Sequence, residues 1–247
     1  MYRLHTVADS MEWARSHSKE APDGSIFLAD VLVAARGRHN RPWIIQPGQL
    51  IVTILLKPSS TMFATPEDTA IRINQLSMAL SLGILGPLKP YGISLKWPND
   101  FVSETKKVGG MLVQLTWHGT VPRSLILGFA LNVNNNIEPE SPLASHATSL
   151  HVITGHELDR RALYKDIIAQ LNHWYLEWKH HKFAEIYKQW RAEQSYLGTA
   201  ISVHQHDGSM ITGRAQQVLP NGDLSLIDQA GKQKIISFYQ VEEIASR

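Results

Sequence analysis

The character of the sequence changes near residue 198, and this change limits the possible folds more than any other feature. Before it, apolar runs alternate with segments of helical periodicity. After it, the short runs ISVHQ, MITGRAQQV, DLSLID and KIISFYQV are separated by the turn sequences HDG, PNG and AG. Short runs between such turns are typical of antiparallel strands. About 50 residues of this kind predict a small barrel, so we place one domain at residues 1–195 and a second at residues 196–247.

The larger domain is predicted to combine strands with long helices. The segments 26–33 and 51–56 are apolar and rich in β-branched residues, which is typical of buried strands. Two similar runs, 108–117 and 124–133, are joined by a polar turn at 118–120. A helix is predicted at 66–83, capped by Thr65. Further helices are predicted from Asp159 and through 183–190, because their apolar residues recur at steps of three and four.

Composition excludes several classes of protein. The 247 residues are 43% hydrophobic and 19% charged, as in ordinary globular proteins. No window approaches about 18 consecutive apolar residues, and residues 1–17 lack the apolar core of a signal peptide. We therefore expect a cytoplasmic protein without a membrane span. The absence of cysteine excludes disulfides, thiolate metal sites and a cysteine nucleophile. A net charge of +2 indicates no general attraction to nucleic acid.

A basic loop lies between the predicted strands at 26–33 and 51–56. Its sequence ARGRHNRPW, residues 35–43, contains three arginines and a glycine, and we term it the arginine loop. Arginine side chains bind phosphate oxygens in pairs, and glycine lets the backbone approach a ligand closely. Long loops within a compact domain are often functional. The same composition also occurs in RNA-binding segments and in solvated loops, so the motif alone leaves those alternatives open.

Polar side chains also lie at the ends of three other predicted strands. In LKWPND, residues 95–100, Pro98 ends a strand because it has no N–H to give to a ladder, and Asn99 and Asp100 follow. Lys107 precedes a glycine pair and a buried run, a position from which its charge can stabilise a developing oxyanion. Asn132 ends another apolar run. Read singly, these are an Asx turn, a solvated lysine and a strand end. Together with the arginine loop, they predict a site for a phosphate-bearing anion.

These four segments resemble a known family. ARGRHNRPW, LKWPND, KKVGGMLVQ and GFALNVN occur in the order and spacing of the biotin–protein ligases, and the resemblance extends from Val7 through the C-terminal barrel. It implies an α+β fold, with a mixed-sheet catalytic domain of the biotin/lipoate ligase type and a C-terminal SH3-like β-barrel. It also implies an ATP-dependent ligase that forms biotinyl-5′-AMP, with Mg²⁺ accompanying ATP. The biotin would then pass to a lysine of the biotin carboxyl carrier domain of acetyl-CoA carboxylase.

The resemblance implies a role for each matching residue. Lys107 matches the lysine that contacts the biotin carboxylate and the reacting phosphate, and it is the expected catalytic residue together with Arg36 and Arg38. No metal-ligating side chain is expected. The expected biotin-binding residues are Asp9, Ser10, Leu32, Arg36, Gly37, Lys107 and Gly110. The expected ATP-binding residues are Arg38, Arg41, Trp43, Asn99 and Asn132, of which the tryptophan would offer a stacking surface.

The sequence departs from the family pattern mainly where biotin would bind. Asp9-Ser10 stands where the family usually has Ser-Thr, and Leu32 stands where a glutamine commonly bonds the ureido ring. A buried ureido group costs about 1–3 kcal/mol for each missing hydrogen bond. Smaller departures from the family pattern are Ala35, Gln114 and Ala130.

These departures leave alternatives to a biotin ligase. One is a ligase for another carboxylate of the lipoate type, although the absence of cysteine argues against the branch that works through a cysteine thioester. Another is a non-catalytic member of the family. Only six residues precede the first matching motif, so no DNA binding is expected. A homodimer is left open, because the pairing of sheet edges does not show in sequence periodicity.

Overall fold

The computed structural model describes residues 1–59, 62–63, 65–118, 121–138 and 140–246. A seven-stranded mixed sheet forms the centre of the larger part of the chain, in the order β1-β2-β3-β7-β6-β5-β4. The β1–β2 pair is parallel, and the other described pairs of this sheet are antiparallel. The strands are β1 (Tyr2–Val7), β2 (Ser25–Leu32), β3 (Leu50–Leu56), β4 (Ser94–Lys96), β5 (Asp100–Ser103), β6 (Lys106–His118) and β7 (Val121–Leu131).

Helices cover the two faces of this sheet unequally. One face packs on α2, α4 and α5 through a large apolar core. The other face is covered in part by α1, through a smaller apolar cluster, and the rest of it is left for the cavity described below. The helices within the described ranges are α1 (Ser10–Ser16), α2 (Pro66–Leu85), α3 (Leu150–Thr154), α4 (Arg160–Lys179) and α5 (Phe183–Ala192).

The helices and strands predicted for the larger part of the chain are confirmed. The helix predicted at 66–83 extends to Leu85, and the Thr65 hydroxyl caps it by accepting the Asp68 N–H at 3.0 Å. The strand predicted for LKWPND is shorter, at Ser94–Lys96. The turn predicted at 118–120 lies partly outside the described residues. Four elements were not predicted, namely β1, α1, β5 and α3. Among the described residues, no helix is both long and apolar enough to cross a bilayer.

The C-terminal part forms an antiparallel five-stranded sheet in the order β11-β10-β9-β8-β12. The all-β structure predicted for this part is therefore confirmed. Among the described residues the two edge strands β11 and β12 do not pair, so the SH3-like barrel stays a prediction. The strands are β8 (Ala200–Gln205), β9 (Met210–Val218), β10 (Leu224–Asp228), β11 (Gln233–Ile236) and β12 (Val241–Ser246).

The prediction of one continuous strand for KIISFYQV is wrong. The chain leaves β11 at Ile236, makes a short 3-10 turn, and begins β12 at Val241. Ser237 explains the break, because its hydroxyl accepts the Tyr239 N–H while the Gln240 side chain accepts the Ser237 N–H. Such a reciprocal capping box satisfies backbone donors at the start of a helical turn. The break allows the last strand to pair with β8.

The apolar core is continuous between the two sheets. Val203 and Leu224 of the C-terminal sheet belong to the same buried cluster as Leu76 of α2. The indole N–H of Trp97 also donates to the Gly222 carbonyl at 2.9 Å. The predicted boundary after residue 195 falls in the segment between α5 and β8, and the division into two domains stays a prediction.

Candidate functional site

A cavity of about 360 Å³ lies on the sheet face that α1 only partly covers. The arginine loop lies over it, and residues 242–244 of β12 border it from the C-terminal sheet. Cavities that bind small molecules have volumes of about 300–1,000 Å³. The cavity is therefore large enough for a small organic ligand and is shared by both parts of the chain.

Small residues on the sheet make room for the cavity. The register of β3, β7, β6 and β5 places Ile51, Ala130, Gly110 and Asp100 side by side, and all four line the cavity. A Cβ atom on Gly110 would lie 3.1 Å from Asp100 Oδ1 and 3.3 Å from Lys107 Nζ. Residues in register across a sheet share one face. Because Gly110 has no side chain on this face, the space beside Asp100 and Lys107 stays open.

Lys107 is held at the edge of the cavity by its backbone and by an acid. Its N–H donates to the His146 carbonyl at 2.8 Å, and its carbonyl accepts the Thr148 N–H at 2.9 Å. The ammonium group lies 2.6 Å from Asp100 Oδ1 and 5.5 Å from the centre of the Trp43 ring. The lysine and the acid side chains are 37% and 24% exposed. The ion pair is thus positioned before any ligand arrives and remains accessible to one.

The arginine loop is closed by its own backbone. The Gly37 N–H donates to the Arg41 carbonyl at 2.8 Å, and the Trp43 N–H donates to the Ala35 carbonyl at 2.9 Å. These bonds hold the loop in a compact shape over the sheet. All of its predicted site residues line the cavity, namely Arg36, Gly37, Arg38, Arg41 and Trp43.

Arg38 joins the arginine loop to the C-terminal sheet. Its guanidinium donates to the carbonyl oxygens of Phe238 at 2.9 Å and Val241 at 3.1 Å, and to Asn99 Oδ1 at 3.3 Å. The same group lies 4.5 Å from the centre of the Phe238 ring. Burial lowers the pKa of Arg38 to about 10, and the nearby Asp100 opposes this shift. Arg38 is therefore a largely buried side chain that stays charged at neutral pH.

Two further contacts tie the arginine loop to the C-terminal sheet. Arg41 forms a hydrogen-bonded ion pair with Glu242, and this contact lowers the pKa of Glu242. His39 Nε2 lies 2.9 Å from His206 Nε2. Burial, followed by the charge of Arg38, lowers the pKa of His39 and favours its neutral ring. The loop thus lies against the C-terminal sheet through three of its side chains.

Asn99 and Asn132 were both predicted at strand ends, but they lie in different places. Asn99 lines the cavity and contacts the arginine loop. Asn132 is 5% exposed and is not among the described residues that line the cavity. Its Oδ1 accepts from Gln49 at 2.9 Å, and its Nδ2 donates to the Thr148 carbonyl at 3.0 Å. The structure therefore brings Asn99 to the site and places Asn132 in a buried amide network beside the Lys107 backbone.

The other end of the cavity is mostly apolar and is formed by α1, β2 and β3. Leu32, Asp9 and Ser10 all line it, as predicted for residues near a ligand. The Asp9 carboxylate caps α1 by accepting two backbone N–H groups at 2.7 and 3.2 Å. Ser10 Oγ shares a hydrogen bond of 2.8 Å with Thr53 Oγ1. At this end, therefore, Leu32 stands where the family commonly has a glutamine, and Ser10 and Thr53 form a buried pair of hydroxyl groups.

Some residues at the site were not predicted from the sequence. The acid at position 9 followed by Glu12 is the pattern of a helix N-terminus, so the capping role of Asp9 was within reach of sequence reasoning. Asp100 was noted only as a neighbour of Asn99 and not as the partner of Lys107. No local pattern indicates Thr53 or Glu242, because long-range packing brings them to the site.

The fold and the site define a class of α+β ligand-binding proteins. In this class, a mixed sheet carries a cavity beneath a basic loop, and an antiparallel sheet packs against its side. The family model described as the biotin/lipoate A/B protein ligase family matches residues 5–162. The chain belongs to this family.

Individual relatives agree with this assignment. The chain is 30% identical over 224 residues to the bifunctional ligase/repressor BirA from Bacillus spizizenii, which covers 89% of this chain and 66% of that protein. It is 26% identical over 210 residues to a biotin–[acetyl-CoA-carboxylase] ligase from Paracoccus denitrificans, with 84% and 86% covered. The chain therefore spans slightly less than two thirds of the BirA relative and most of the Paracoccus one.

A solved structure has the same overall fold. The biotin protein ligase from Aquifex aeolicus in complex with biotin and ATP is similar with a TM-score of 0.82 and 26% identity. The similarity covers 99% of this chain and 98% of that one. The α+β fold predicted from the sequence is therefore the fold of a biotin protein ligase.

Proposed function

We propose that this protein is an ATP-dependent ligase that activates biotin as biotinyl-5′-AMP and transfers it to a lysine of a biotin carboxyl carrier domain. The observation that carries the proposal is the position of Lys107, whose ammonium group meets Asp100 at 2.6 Å at the edge of the cavity. On one side of it lies an apolar pocket, and on the other lies the arginine loop. This order matches a ligand that ends in a carboxylate and reacts with a nucleotide.

The first reaction joins two anions. A carboxylate oxygen of biotin attacks the α-phosphorus of ATP, a new C–O–P linkage forms, and pyrophosphate leaves. The negative charges of the two reactants repel each other, so fixed cations at the meeting point lower the barrier. Lys107 is assigned to the biotin carboxylate and the reacting phosphate, with Arg36 and Arg38 on the phosphate side. Gly110 supports this assignment, because it leaves the space beside the lysine free.

The second reaction transfers the acyl group. The neutral amine of the acceptor lysine attacks the biotinyl carbonyl carbon, an amide bond forms, and AMP leaves with the electron pair of the broken C–O bond. The amine proton passes to solvent. Lys107 and the arginine loop would stabilise the departing phosphate oxygen by the same charges that assisted the first step. One set of cations thus serves both steps.

The nucleotide is assigned to the basic end of the cavity. Arg38, Arg41, Trp43 and Asn99 line that end, and the indole ring offers an apolar surface for a base to stack on. Asn132 is better assigned to support of the Lys107 backbone than to direct nucleotide contact, since its amide groups are already bonded to other residues.

Mg²⁺ would enter with the triphosphate of ATP. This ion commonly binds substrate phosphates together with only one or two protein carboxylates. Within the described ranges, no three His, Asp or Glu side chains come together as a metal site, and Asp100 is the carboxylate nearest to Lys107. The single carboxylate of Asp100 at this place fits an Mg²⁺ ion that is held mainly by the phosphates of ATP.

The acceptor is proposed to be the biotin carboxyl carrier domain of acetyl-CoA carboxylase, and the reaction is proposed to take place in the cytoplasm. The Paracoccus relative is named for this acceptor enzyme. A homodimer is also a proposal. The outer strand β1 of the mixed sheet is the edge that a second copy would use, because Leu95 of β4 already exchanges backbone hydrogen bonds with residues 193 and 195.

Release of pyrophosphate tests the proposed function. Purified protein with biotin, ATP and Mg²⁺ should release pyrophosphate, and adding a carboxyl carrier domain should yield a protein-bound biotin that resists denaturation. A carrier domain whose acceptor lysine is replaced by arginine is the control for the second step. Pyrophosphate release with lipoate and not with biotin would move the assignment to another carboxylate. No release with either acid, in a protein that binds ATP, would indicate a non-catalytic member of the family.

A further inference from the structure

Two histidine rings meet where the arginine loop touches the C-terminal sheet. His39 Nε2 and His206 Nε2 are 2.9 Å apart, the ring centres are 3.8 Å apart, and the ring planes differ by 61°. Both residues are exposed, and they lie 167 positions apart in the sequence. The fold therefore brings two imidazole nitrogens together at the surface, one from each part of the chain.

The arrangement of the two rings differs from that of a straight hydrogen bond. In a straight N–H···N bond both nitrogens lie between the ring centres, so the centres are separated by the N···N distance plus the two ring radii. Here the ring centres are only 0.9 Å farther apart than the nitrogens, at 3.8 Å against 2.9 Å. The rings thus lie side by side, with the two Nε2 atoms at neighbouring corners.

Neighbouring imidazole nitrogens can bind one transition-metal ion together. Such ions bind the neutral ring through Nε2 or Nδ1, and the metal–nitrogen distance is about 2.0–2.1 Å for Zn²⁺. Two nitrogens bound at this distance are about 2.9 Å apart when they subtend a right angle, and about 3.4 Å apart at the tetrahedral angle. The observed separation of 2.9 Å fits a right angle, which is the arrangement in tetragonal sites of Ni²⁺ and Cu²⁺.

The charges around the two rings act on a bound cation in opposite directions. Arg38 and Arg41 lie close enough to His39 to disfavour a cation there, whereas Glu242 favours one. Arg41 and Glu242 form an ion pair, so their two charges largely offset each other. Among the residues that the structure describes, no third His, Asp or Glu completes a metal site with the pair. Water would therefore fill the other coordination positions of an ion held by the two rings.

We propose that His39 and His206 bind a divalent transition-metal ion and that this ion links the arginine loop to the C-terminal sheet. The backbone supports both ligands. The Arg41 N–H donates to the Arg38 carbonyl at 3.1 Å, which closes the turn that carries His39. On the other side, the His206 N–H donates to the Gln240 carbonyl at 3.1 Å. His39 has a φ of 55°, a conformation that persists in a non-glycine residue only where the surrounding structure holds it. The inference is independent of the proposed function, because no step of the reaction uses either ring.

Titration calorimetry of the full chain with Ni²⁺, without ATP or Mg²⁺, tests the proposal. The unaltered protein should bind one Ni²⁺ more than a variant that carries both His39→Gln and His206→Gln. Each single substitution should weaken this site by at least about tenfold, since even changes around the ligands of a metal cost that much. His173 is an exposed histidine of α4, so His173→Gln is the control and should leave the site unchanged.

Hydrogen exchange measures the proposed link between the two parts of the chain. Exchange of residues 36–41 at constant pH should slow when Ni²⁺ is added to the unaltered protein, because the ion fixes the loop to the sheet. Added Ni²⁺ should leave the exchange of these residues unchanged in His206→Gln. Both rings are exposed, so the substitutions should preserve the melting temperature.

Three outcomes would overturn the proposal. Equal numbers of Ni²⁺ sites in the unaltered protein and in the double variant would show that the two rings only contact each other. Loss of the site in His206→Gln and not in His39→Gln would place the ion on the C-terminal sheet alone, with His204 as the neighbouring imidazole, and the link would fail. Binding of Ni²⁺ without slower exchange of residues 36–41 would contradict the link as well.

Discussion

The two ends of the cavity are built in different ways. At the basic end, charges already have partners on the protein: Lys107 meets Asp100, Arg41 meets Glu242, and Arg38 binds carbonyl groups of the C-terminal sheet. At the apolar end, side chains such as Leu32 lie close to a single pair of hydroxyl groups. The basic end is thus organised before a ligand arrives, whereas the apolar end leaves hydrogen-bonding capacity unused.

This difference separates two contributions to the proposed reaction. Preorganised charges cost little reorganisation when the reaction proceeds, so they act mainly on the rate. An apolar wall with a few polar groups acts mainly on which ligand is bound and how tightly. Changes at the basic end should therefore alter catalysis more than binding of the acid, and changes at the apolar end should do the reverse. The following predictions test that contrast.

The largest effect is expected for Lys107→Gln. Removing this cation should lower the rate of pyrophosphate release by about 10²-fold or more, the scale for one lost electrostatic stabiliser. Binding of biotin should change less than the rate, since most of the ligand would lie in the apolar end. Single-turnover measurement of pyrophosphate release, together with the melting temperature, checks the prediction. Lys106, which is exposed, is the control, and Lys106→Gln should leave the rate unchanged. Similar rates for the two variants would contradict the assigned role of Lys107.

The glycine pair that follows Lys107 should separate stability from ligand binding. A Cβ atom on Gly109 would lie 2.6 Å from the Ala130 carbonyl oxygen and 2.5 Å from Leu131 Cδ2, so Gly109→Ala should destabilise the fold by about 1–3 kcal/mol. On Gly110, the atoms nearest to an added Cβ are the ends of the Asp100 and Lys107 side chains, at 3.1–3.3 Å, and these ends can move aside. Gly110→Ala should therefore keep the unfolding free energy and lower the rate. Denaturant unfolding of both variants measures the difference, and equal stabilities would contradict it.

A smaller effect is expected for Leu32→Gln at the apolar end. Leu32 is 6% exposed and lines the cavity, so a glutamine there reaches the ligand. One added hydrogen bond contributes about 0.5–1.5 kcal/mol, which corresponds to roughly two- to tenfold tighter biotin binding. Calorimetric titration of biotin into both forms is the measurement. Weaker binding together with a lower melting temperature would indicate that the side chain acts in packing and not in recognition.

The smallest effect is expected from acid at the contact between the arginine loop and the C-terminal sheet. The pKa of His39 is lowered in the folded protein, by burial first and then by Arg38, His206 and Arg41, while Glu242 opposes the shift. Below the ordinary histidine pKa the unfolded chain binds more protons than the folded one, so this contribution is present above about pH 6.5 and is lost as the pH falls through the folded value.

Hydrogen exchange of residues 36–41, corrected for intrinsic rates, should show this loss between about pH 7.5 and about pH 5.5. His206→Gln should reduce the dependence, because it removes the ring whose Nε2 lies 2.9 Å from that of His39. The other charged groups that face His39 stay in place in that variant. Unchanged pH dependence in His206→Gln would show that the histidine pair does not hold the loop.

The elements that could be predicted from the sequence are those specified by residues close together in the chain. The helix capped by Thr65 and the strands around residues 52 and 127 follow from short periodic patterns and turn residues. The basic residues of the arginine loop were also predicted, because one short segment contains them all.

The elements that could not be predicted depend on distant partners. Thr53 meets Ser10 only because β3 packs beneath α1. Asn132 and Asn99 both follow a predicted strand in the sequence, but the Oδ1 of Asn132 accepts a hydrogen bond from Gln49. KIISFYQV is a different case. The cap that divides it joins Ser237 only to Tyr239 and Gln240, so its S-x-x-Q pattern is local and could have been recognised in the sequence.

The guanidinium of Arg38 has more N–H groups than its protein partners use. Of its five N–H groups, three donate to the carbonyl oxygens of Phe238 and Val241 and to Asn99. The other two have no partner within the described part of the chain, so a bound anion can accept from them. The nucleotide and the C-terminal sheet would therefore be held by one planar group at the same time. If docking of the C-terminal sheet strengthens nucleotide binding, then bound nucleotide must strengthen docking of the sheet by the same free energy, because the coupling between two binding equilibria is reciprocal.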